Sequence, residues 1–293
     1  MSKLKAVVFG AGGQLGVELV REFTNRGYAV QGFDRSAVDI SDGSRVERSL
    51  ATADPTVVLN AAAYNQVDVA EREALAAYQA NGLAVRNLAL ACRQVDAQLV
   101  HYSTDYVFDG TAGRPYTEDD APHPLGAYAV SKLAGELYAQ AYCDKALIIR
   151  TSGVFGPGGL KTARGNFIET MLRQAAAGKT IRAVEDHVAS PTYAPFLAAR
   201  TADLVERRQS GVFHVGGGVA ISWFDYARMI LRLAGVNADL QPVDERTYRT
   251  AARRPKFSAL SNAKMERAGI APMPPLEEGV QAYLEARAKH FGN

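Results

Sequence analysis

Tyr128 and Lys132 stand one helical turn apart in the stretch GAYAVSKLAGE. A phenol and an ammonium at that spacing can work together. An unperturbed tyrosine, with a pKa near ~10, exchanges protons poorly near neutrality, and a nearby positive charge favours its phenolate. Lys132 could supply that charge and also hold a cofactor ribose. Thr104 closes the run AQLVHYST, 24 residues before Tyr128, and adds a hydroxyl able to fix a carbonyl oxygen. These three residue types suit ketone reduction, in which an oxygen takes a proton as hydride reaches carbon. The spacing alone does not decide the matter, because a solvated surface pair looks the same.

The elements around these residues must position them. At 100° per residue, Val130, Leu133, Ala134, Leu137 and Ala141 form one apolar stripe, with Tyr128 and Lys132 about 40° apart on the opposite side. The expectation is a helix that buries the stripe and presents the pair away from it. Upstream, the β-type runs KAVVFGA, YAVQGFD, TVVLNAAA and AQLVHYST alternate with helical stretches, and GELYAQAYCDKALIIRTS passes from helix into strand. This alternation predicts an α/β fold, a Rossmann-like doubly wound parallel sheet covered on both faces. After about residue 150 the pattern loosens, with Gly and Pro clusters at GVFGPGGL, VGGGVA and APMPPLEEG. The expected organisation is a dinucleotide-binding domain over 1–150 and a smaller C-terminal substrate lobe over 151–293, some segments of which return to the first domain.

The loop FGAGGQLG follows the first strand and opens the first helix, placing glycines at 10, 13 and 16. A phosphate needs backbone N–H donors at a helix N-terminus, and glycine lets the backbone approach closely. A lone glycine motif is weak, but its strand-before, helix-after context is the one dinucleotide binding requires. Asp34 lies 24 residues after Gly10, where an acid would bond an adenine ribose, and Arg35 beside it could instead meet a 2′-phosphate. NADH and NADPH therefore both remain open. Asp34–Arg35 would also make an ordinary solvated turn.

The remaining numbers exclude more than they assign. The chain has 293 residues, 47% of them hydrophobic and 22% charged, with a net charge of +2. That balance gives no electrostatic case for nucleic acid or an anionic membrane as partner. No apolar run approaches the roughly 18 residues of a membrane helix, and the N-terminal AVVF is too short for a signal peptide. Cys92 and Cys143 form no disulfide or zinc pattern and suit a reducing cytoplasm. The five histidines are dispersed, so no metal site is expected. Trp223, Phe224 and Tyr226 read as the core of a late helix rather than a base-stacking platform, and Cys92 as inert core.

On these motifs the chain resembles the extended short-chain dehydrogenase/reductases, and within them the dTDP-4-dehydrorhamnose reductases. GAGGQLG, VLNAAAYNQVDVAE, VHYSTDYVFDG, SKLAGE, IIRTS, NFIETML and RRPKFSALSNAK follow the family's order over nearly the whole chain. STDYVFDG is the most diagnostic; related dehydratases carry an acid where Tyr106 stands. The resemblance implies Thr104, Tyr128 and Lys132 as catalytic triad, with Asp105 close to the sugar. It implies a cofactor lining of Gly10, Gly13, Gln14, Leu15, Gly16, Asp34, Arg35, Asp39, Ile40, Ala61, Ala62, Ala63 and Tyr64, besides Tyr128 and Lys132. Asn166, Arg253 and Arg254 would belong to the nucleotide-sugar lobe, where arginines can grip a diphosphate.

Two departures stand out. The family reads Arg-Thr-Ser-Trp-Val with its tryptophan facing the substrate, where this chain has Gly153, and DHVASPT places His187 and Ala189 in another signature. Some members form a magnesium-bridged dimer; Glu18 matches one such position, but Pro195 stands at another, so that metal site is not expected. The implied activity is NAD(P)H-dependent reduction of the C4 ketone of a dTDP-4-keto-6-deoxysugar, dTDP-4-dehydrorhamnose to dTDP-L-rhamnose, in the cytoplasm. A homodimer is compatible with the resemblance. The alternatives are a reductase of the 6-deoxytalose type, and a non-catalytic regulatory subunit like that of methionine adenosyltransferase. The intact Thr104, Tyr128 and Lys132 argue against the last.

Overall fold

The computed structural model describes residues 4–161, 165–247 and 250–292. Its centre is a six-stranded parallel sheet. β1 (Lys5–Phe9), β2 (Ala29–Phe33), β3 (Val57–Asn60), β4 (Gln98–Thr104) and β5 (Leu147–Thr151) come from the first half of the chain, and β8 (Gly211–His214) from the second. The order is β2-β1-β3-β4-β5-β8, so the sequence reverses direction beside β1. In open parallel sheets, ligands bind at such a switch point, outside the carboxyl ends of the strands.

The central strands are rich in buried apolar residues because both their faces are covered, whereas the edge strand β2 is largely exposed. Along β1 the side chains alternate between two cores. Ala6 and Val8 join Leu19, Leu59, Val100 and Ile149 on one face, while Val7 and Phe9 join Leu50, Leu88, Leu99 and Ile148 on the other. α1 (Gly16–Asn25) and α8 (Ala194–Glu206) cover the first face; α2 (Gly43–Ala53) and α5 (Ala84–Gln94) cover the second. Between β3 and α5 lie α3 (Val67–Ala70) and α4 (Ala74–Tyr78), and a π turn over Gln79–Leu83 joins α4 to α5. Such a turn carries one extra residue in the helix and re-aims its side chains.

A second core gathers Phe155, Ile168, Met171, Tyr193, Tyr226 and Tyr283. Around it stand α7 (Phe167–Ala176), α9 (Trp223–Leu233) and α11 (Leu276–Phe291). Two small ribbons complete this part. β6 (Ile181–Val184) pairs in parallel with β10 (Leu240–Val243), and β7 (Val188–Ala189) pairs antiparallel with β9 (Ile221–Ser222). The short α10 (Ala263–Arg267) lies against β8. α8 packs on α1, so this segment and β8 bring the second half of the chain back onto the sheet.

α6 (Ala127–Tyr142), the helix that carries Tyr128 and Lys132, is turned the other way from the sequence expectation. Val130 is 50% exposed and Leu137 60%, and Ala141 is also exposed, whereas Lys132 and Glu136 are buried. The inward face consists of Ala129, Ser131, Lys132, Gly135, Glu136 and Ala139. Small residues let α6 sit close to α5; a Cβ on Gly135 would collide with the Asn81 carbonyl. The polar residues on that face are tolerated because each meets a partner, as buried polar groups must. No helix among the described residues is long and apolar enough to cross a membrane.

Candidate active site

β4 ends at the Thr104 side chain, opposite Thr151 in the register with β5. The Thr104 hydroxyl accepts the Tyr106 N–H at 3.1 Å and donates to Asp105 Oδ1 at 3.1 Å. The other carboxylate oxygen of Asp105 accepts from Ser152 Oγ at 2.8 Å and Ser258 Oγ at 2.5 Å. Burial pushes the Asp105 carboxyl up to about 6, against the opposing pull of these three hydroxyls. The aspartate thus holds Thr104 and ties it to chain segments 47 and 153 residues away. Ser152 and Ser258 were not legible as site residues, since nothing local marks a serine that bonds across the fold.

Behind the strand end lies Lys132. Its ammonium donates to the Tyr102 carbonyl oxygen at 2.6 Å, two residues before Thr104. Burial lowers its pKa to about 8, and the charge of Glu136 works in the opposite direction. Glu136, a third residue the sequence did not mark, forms a buried pair with Arg150 at 2.7 Å and accepts from Ser103 Oγ at 2.5 Å. Its spacing of four residues from Lys132 was the available signal. Tyr128 sits one turn before Lys132, partly buried, its ring edge-on to Tyr106 with centroids 6.2 Å apart. The π turn points Asn81 inward; its amide donates to Ser131 Oγ at 3.0 Å and accepts the Tyr64 N–H at 2.8 Å. Asn81 therefore joins α6 to the Ala61–Tyr64 segment.

That segment faces the glycine loop. Gly10 has φ +74°, and a Cβ there would lie 2.7 Å from the Ala62 backbone nitrogen. A Cβ on Gly16 would meet the Gly10 carbonyl, so the helix start can close on the loop only with glycine at both places. Beside Gly12 the space is open, with Asp34 Cβ the nearest atom at 4.0 Å. The Gly13 N–H donates to Gly10 O at 3.0 Å, and Leu15, at the N-cap position of α1, offers no side-chain cap. This cradle fits a dinucleotide: it has room at Gly12, an uncapped helix start and an acid at the end of β2. The Asp34 carboxylate accepts from Ser36 Oγ and the Ala37 N–H, which holds its pKa below the ordinary value. Arg35 is exposed and pairs with Asp39 at 3.1 Å, while Ile40 is buried beneath the loop.

The residues expected on the sugar side are more scattered. Gly153 is exposed, with φ +50°, two residues beyond Thr151. Asn166 caps α7 and donates to Gln14 Oε1 at 3.1 Å, and Gln14 in turn donates to the Val154 carbonyl at 2.6 Å. Both ends of the Asn166 amide are thus held by protein, beside the glycine loop. Arg254 pairs with Asp68 at 2.7 Å and also bonds Tyr106, whereas Arg253 is exposed. A cavity of about 470 Å³ opens beside Gln66, Val67, Asp68 and Val69. His187 is buried, 3.7 Å from Glu245, and converges with Asp186 and Glu245, a grouping the dispersed histidines did not suggest. The Lys256 ammonium lies 3.2 Å from Asp186 and 3.4 Å from Glu245 and compensates their charge.

A switch-point glycine cradle, with a hydroxyl, a phenol and an ammonium at the end of β4, defines a Rossmann-type nucleotide-dependent oxidoreductase. Comparison with known proteins narrows the class. The chain belongs to the RmlD substrate binding domain family, whose model matches residues 4–288. It is 37% identical over 284 residues to the spore coat polysaccharide biosynthesis protein SpsK of Bacillus subtilis, covering 97% of this chain and 98% of that protein. It is 40% identical to the dTDP-4-dehydrorhamnose reductase of Burkholderia thailandensis, covering 91% and 94%. The crystal structure of dTDP-4-dehydrorhamnose reductase from Bacillus anthracis in complex with NADP superposes with a TM-score of 0.92 at 34% identity, covering 97% of this chain and 99% of that one.

Proposed function

We propose that the protein reduces the C4 ketone of a dTDP-4-keto-6-deoxysugar, converting dTDP-4-dehydrorhamnose into dTDP-L-rhamnose with NADPH or NADH. The observation that carries this reading is the Lys132 ammonium, buried against the Tyr102 carbonyl directly below Thr104 and one turn from Tyr128. A buried cation in such a place costs stability and needs a functional reason.

When bound, the nicotinamide supplies hydride to the sugar C4. Gly10, Gly13 and the start of α1 hold its pyrophosphate, and Asp34 or Arg35 meets the adenine ribose. Tyr128 gives its proton to O4, and the Lys132 charge stabilises the phenolate left behind. One Lys132 N–H is committed to Tyr102, which leaves donors for the nicotinamide ribose. Thr104, steadied by Asp105, orients the ketone. The two lobes divide the work accordingly: residues 1–150 with β8 and α8 hold the cofactor, and the remainder of 151–293, including Gly153, His187 and Arg253, faces the sugar nucleotide. Arg254, through Asp68 and Tyr106, braces that side.

The test is NAD(P)H oxidation with dTDP-4-dehydro-6-deoxy-L-mannose. Wild type should turn over, and Tyr128→Phe should lose about 10²- to 10⁴-fold in kcat with cofactor affinity retained. Turnover undiminished in Tyr128→Phe would remove the tyrosine from the chemistry. Absence of wild-type turnover with tight cofactor binding would favour the regulatory reading. Gly153 keeps the 6-deoxytalose product as a second reading, and NMR of the product separates the two.

The partner proposed for the protein itself is a second copy. Leu75, Leu83, Val130 and Leu137 are exposed on adjacent faces of α4, the π turn and α6. The two charged residues of α6, Lys132 and Glu136, are both buried, so its outer face carries none. At 1.5 Å per residue the paired helices offer roughly 25 by 20 Å, about 500 Å² in projection, so a stable interface of ~800 Å² per partner would also draw on the flanking residues. Glu71, bonded to the Ala127 N–H, lies at the start of α6, and Arg86, over the Tyr142 ring, at its end. A two-fold arrangement sets these ends against each other.

A further inference from the structure

We infer that Trp223 forms the apolar wall of the sugar pocket and selects a methyl group over a hydroxymethyl group at C6. The inference rests on the reading of the substrate as a 6-deoxy-4-ketosugar. β5 lies beside β4, with Thr151 level with Thr104, and Gly153 follows two residues on. With strands about 4.8 Å apart and ~3.3 Å per residue, Gly153 lies on the order of 8 Å from Thr104, a gap that a hexose ring can span. Gly153 is itself exposed to solvent.

What stands over that glycine is an indole from another element. A Cβ on Gly153 would lie 3.3 Å from Trp223 Cη2 and 3.3 Å from Pro191 Cα. The Trp223 ring crowds the space that a side chain at 153 would enter. It is braced from behind by Phe167, centroids 4.8 Å apart, and by Tyr226 at 6.1 Å. Its backbone N–H donates to the His187 carbonyl at 3.1 Å, and Ser222 caps the helix it opens. The indole is therefore rigid, yet only partly buried, in contrast to the fully buried Tyr226 of the same helix. The sequence expectation of helix core holds fully for Tyr226, while Trp223 and Phe224 pack half-buried against the same core. A rigid apolar face at a cleft edge favours a methyl and leaves a hydroxyl without a partner. The positive φ of Gly153 and the contacts around it keep the wall in the indole's hands, because a side chain there would be strained.

Trp223 is the sole tryptophan of the chain, so indole fluorescence reports on this position alone. With selective indole excitation, dTDP-rhamnose should change the emission of the NADP-loaded protein, and dTDP should leave it near the starting value. An identical response to both, or to neither at saturation, would overturn the inference whatever the activity. In turnover, wild type should favour the 6-deoxy-4-ketosugar over its analogue with a C6 hydroxyl by about 10- to 100-fold in kcat/KM. Trp223→Leu should bring that ratio near unity while NADPH affinity holds. A folded Trp223→Leu that keeps the wild-type ratio would sink the assignment. If wild type reduces neither sugar while dTDP-rhamnose still alters the fluorescence, the wall stands and the proposed reaction falls.

Discussion

Lys132 holds a positive charge in the interior on the strength of one carbonyl and a distant carboxylate. Its folded pKa, about 8, lies below the ordinary lysine value, so the folded state disfavours the charged form. For a depressed pKa, the cost is present in full below pH 8 and fades as pH rises toward the unfolded value. Lys132→Met should therefore abolish most activity and yet raise stability at pH 7, by on the order of 3 kcal/mol, a gain that shrinks toward pH 10. Thermal denaturation at pH 7 and pH 9.5 measures it. In the wild type, kcat should fall as pH rises through about 8, where the ammonium is lost. At this scale the sequence displayed the groups proposed to react, since Thr104, Tyr128 and Lys132 are recognisable by type and spacing. Their supports stayed hidden: Ser152, Ser258 and Arg150 come from distant segments, and only folding brings them to Asp105 and Glu136.

Among the elements, α6 and β5 are joined by a pair that water scarcely reaches. Arg150 meets Glu136 through both Nε and Nη2, and its guanidinium also lies 5.2 Å from the centre of the Phe108 ring. Removing one partner leaves the other charged and buried, which costs more than the pair itself contributes. Glu136→Ala should lose about 3–5 kcal/mol in urea denaturation, and the double variant Glu136→Leu with Arg150→Met should lose clearly less. Similar losses in both would mean that the pair's packing matters more than its charges. The same pair explains why the helix was placed well by periodicity but rotated wrongly. Counting apolar residues finds a helix, yet sidedness depends on whether polar residues have partners inside. Lys132, Glu136 and Ser131 all do, and Val130, Leu137 and Ala141 of the apolar stripe were left outside, while Leu133 packs beside Val107 and Phe108.

For the whole molecule, that outward stripe is where two copies should meet. Leu137→Asp should convert a dimer to a monomer in light scattering without loss of NADPH affinity; a wild type that is already monomeric at high concentration would refute the interface. The parallel sheet was legible because its central strands carry short buried apolar runs, VVL in β3, LV in β4 and LII in β5. The second half was not, because β7 and β9 have two residues each and gain meaning only by pairing across the chain. Gln14 belongs to the glycine loop by sequence, but its amide meets Val154 and Asn166 from the second half of the chain. The natural seam of this protein is therefore not a point along the chain. A recombinant that joins the first 150 residues of one relative to the remainder of another would cut through the Gln14–Asn166 handshake, and such hybrids should inherit both residues from a single parent.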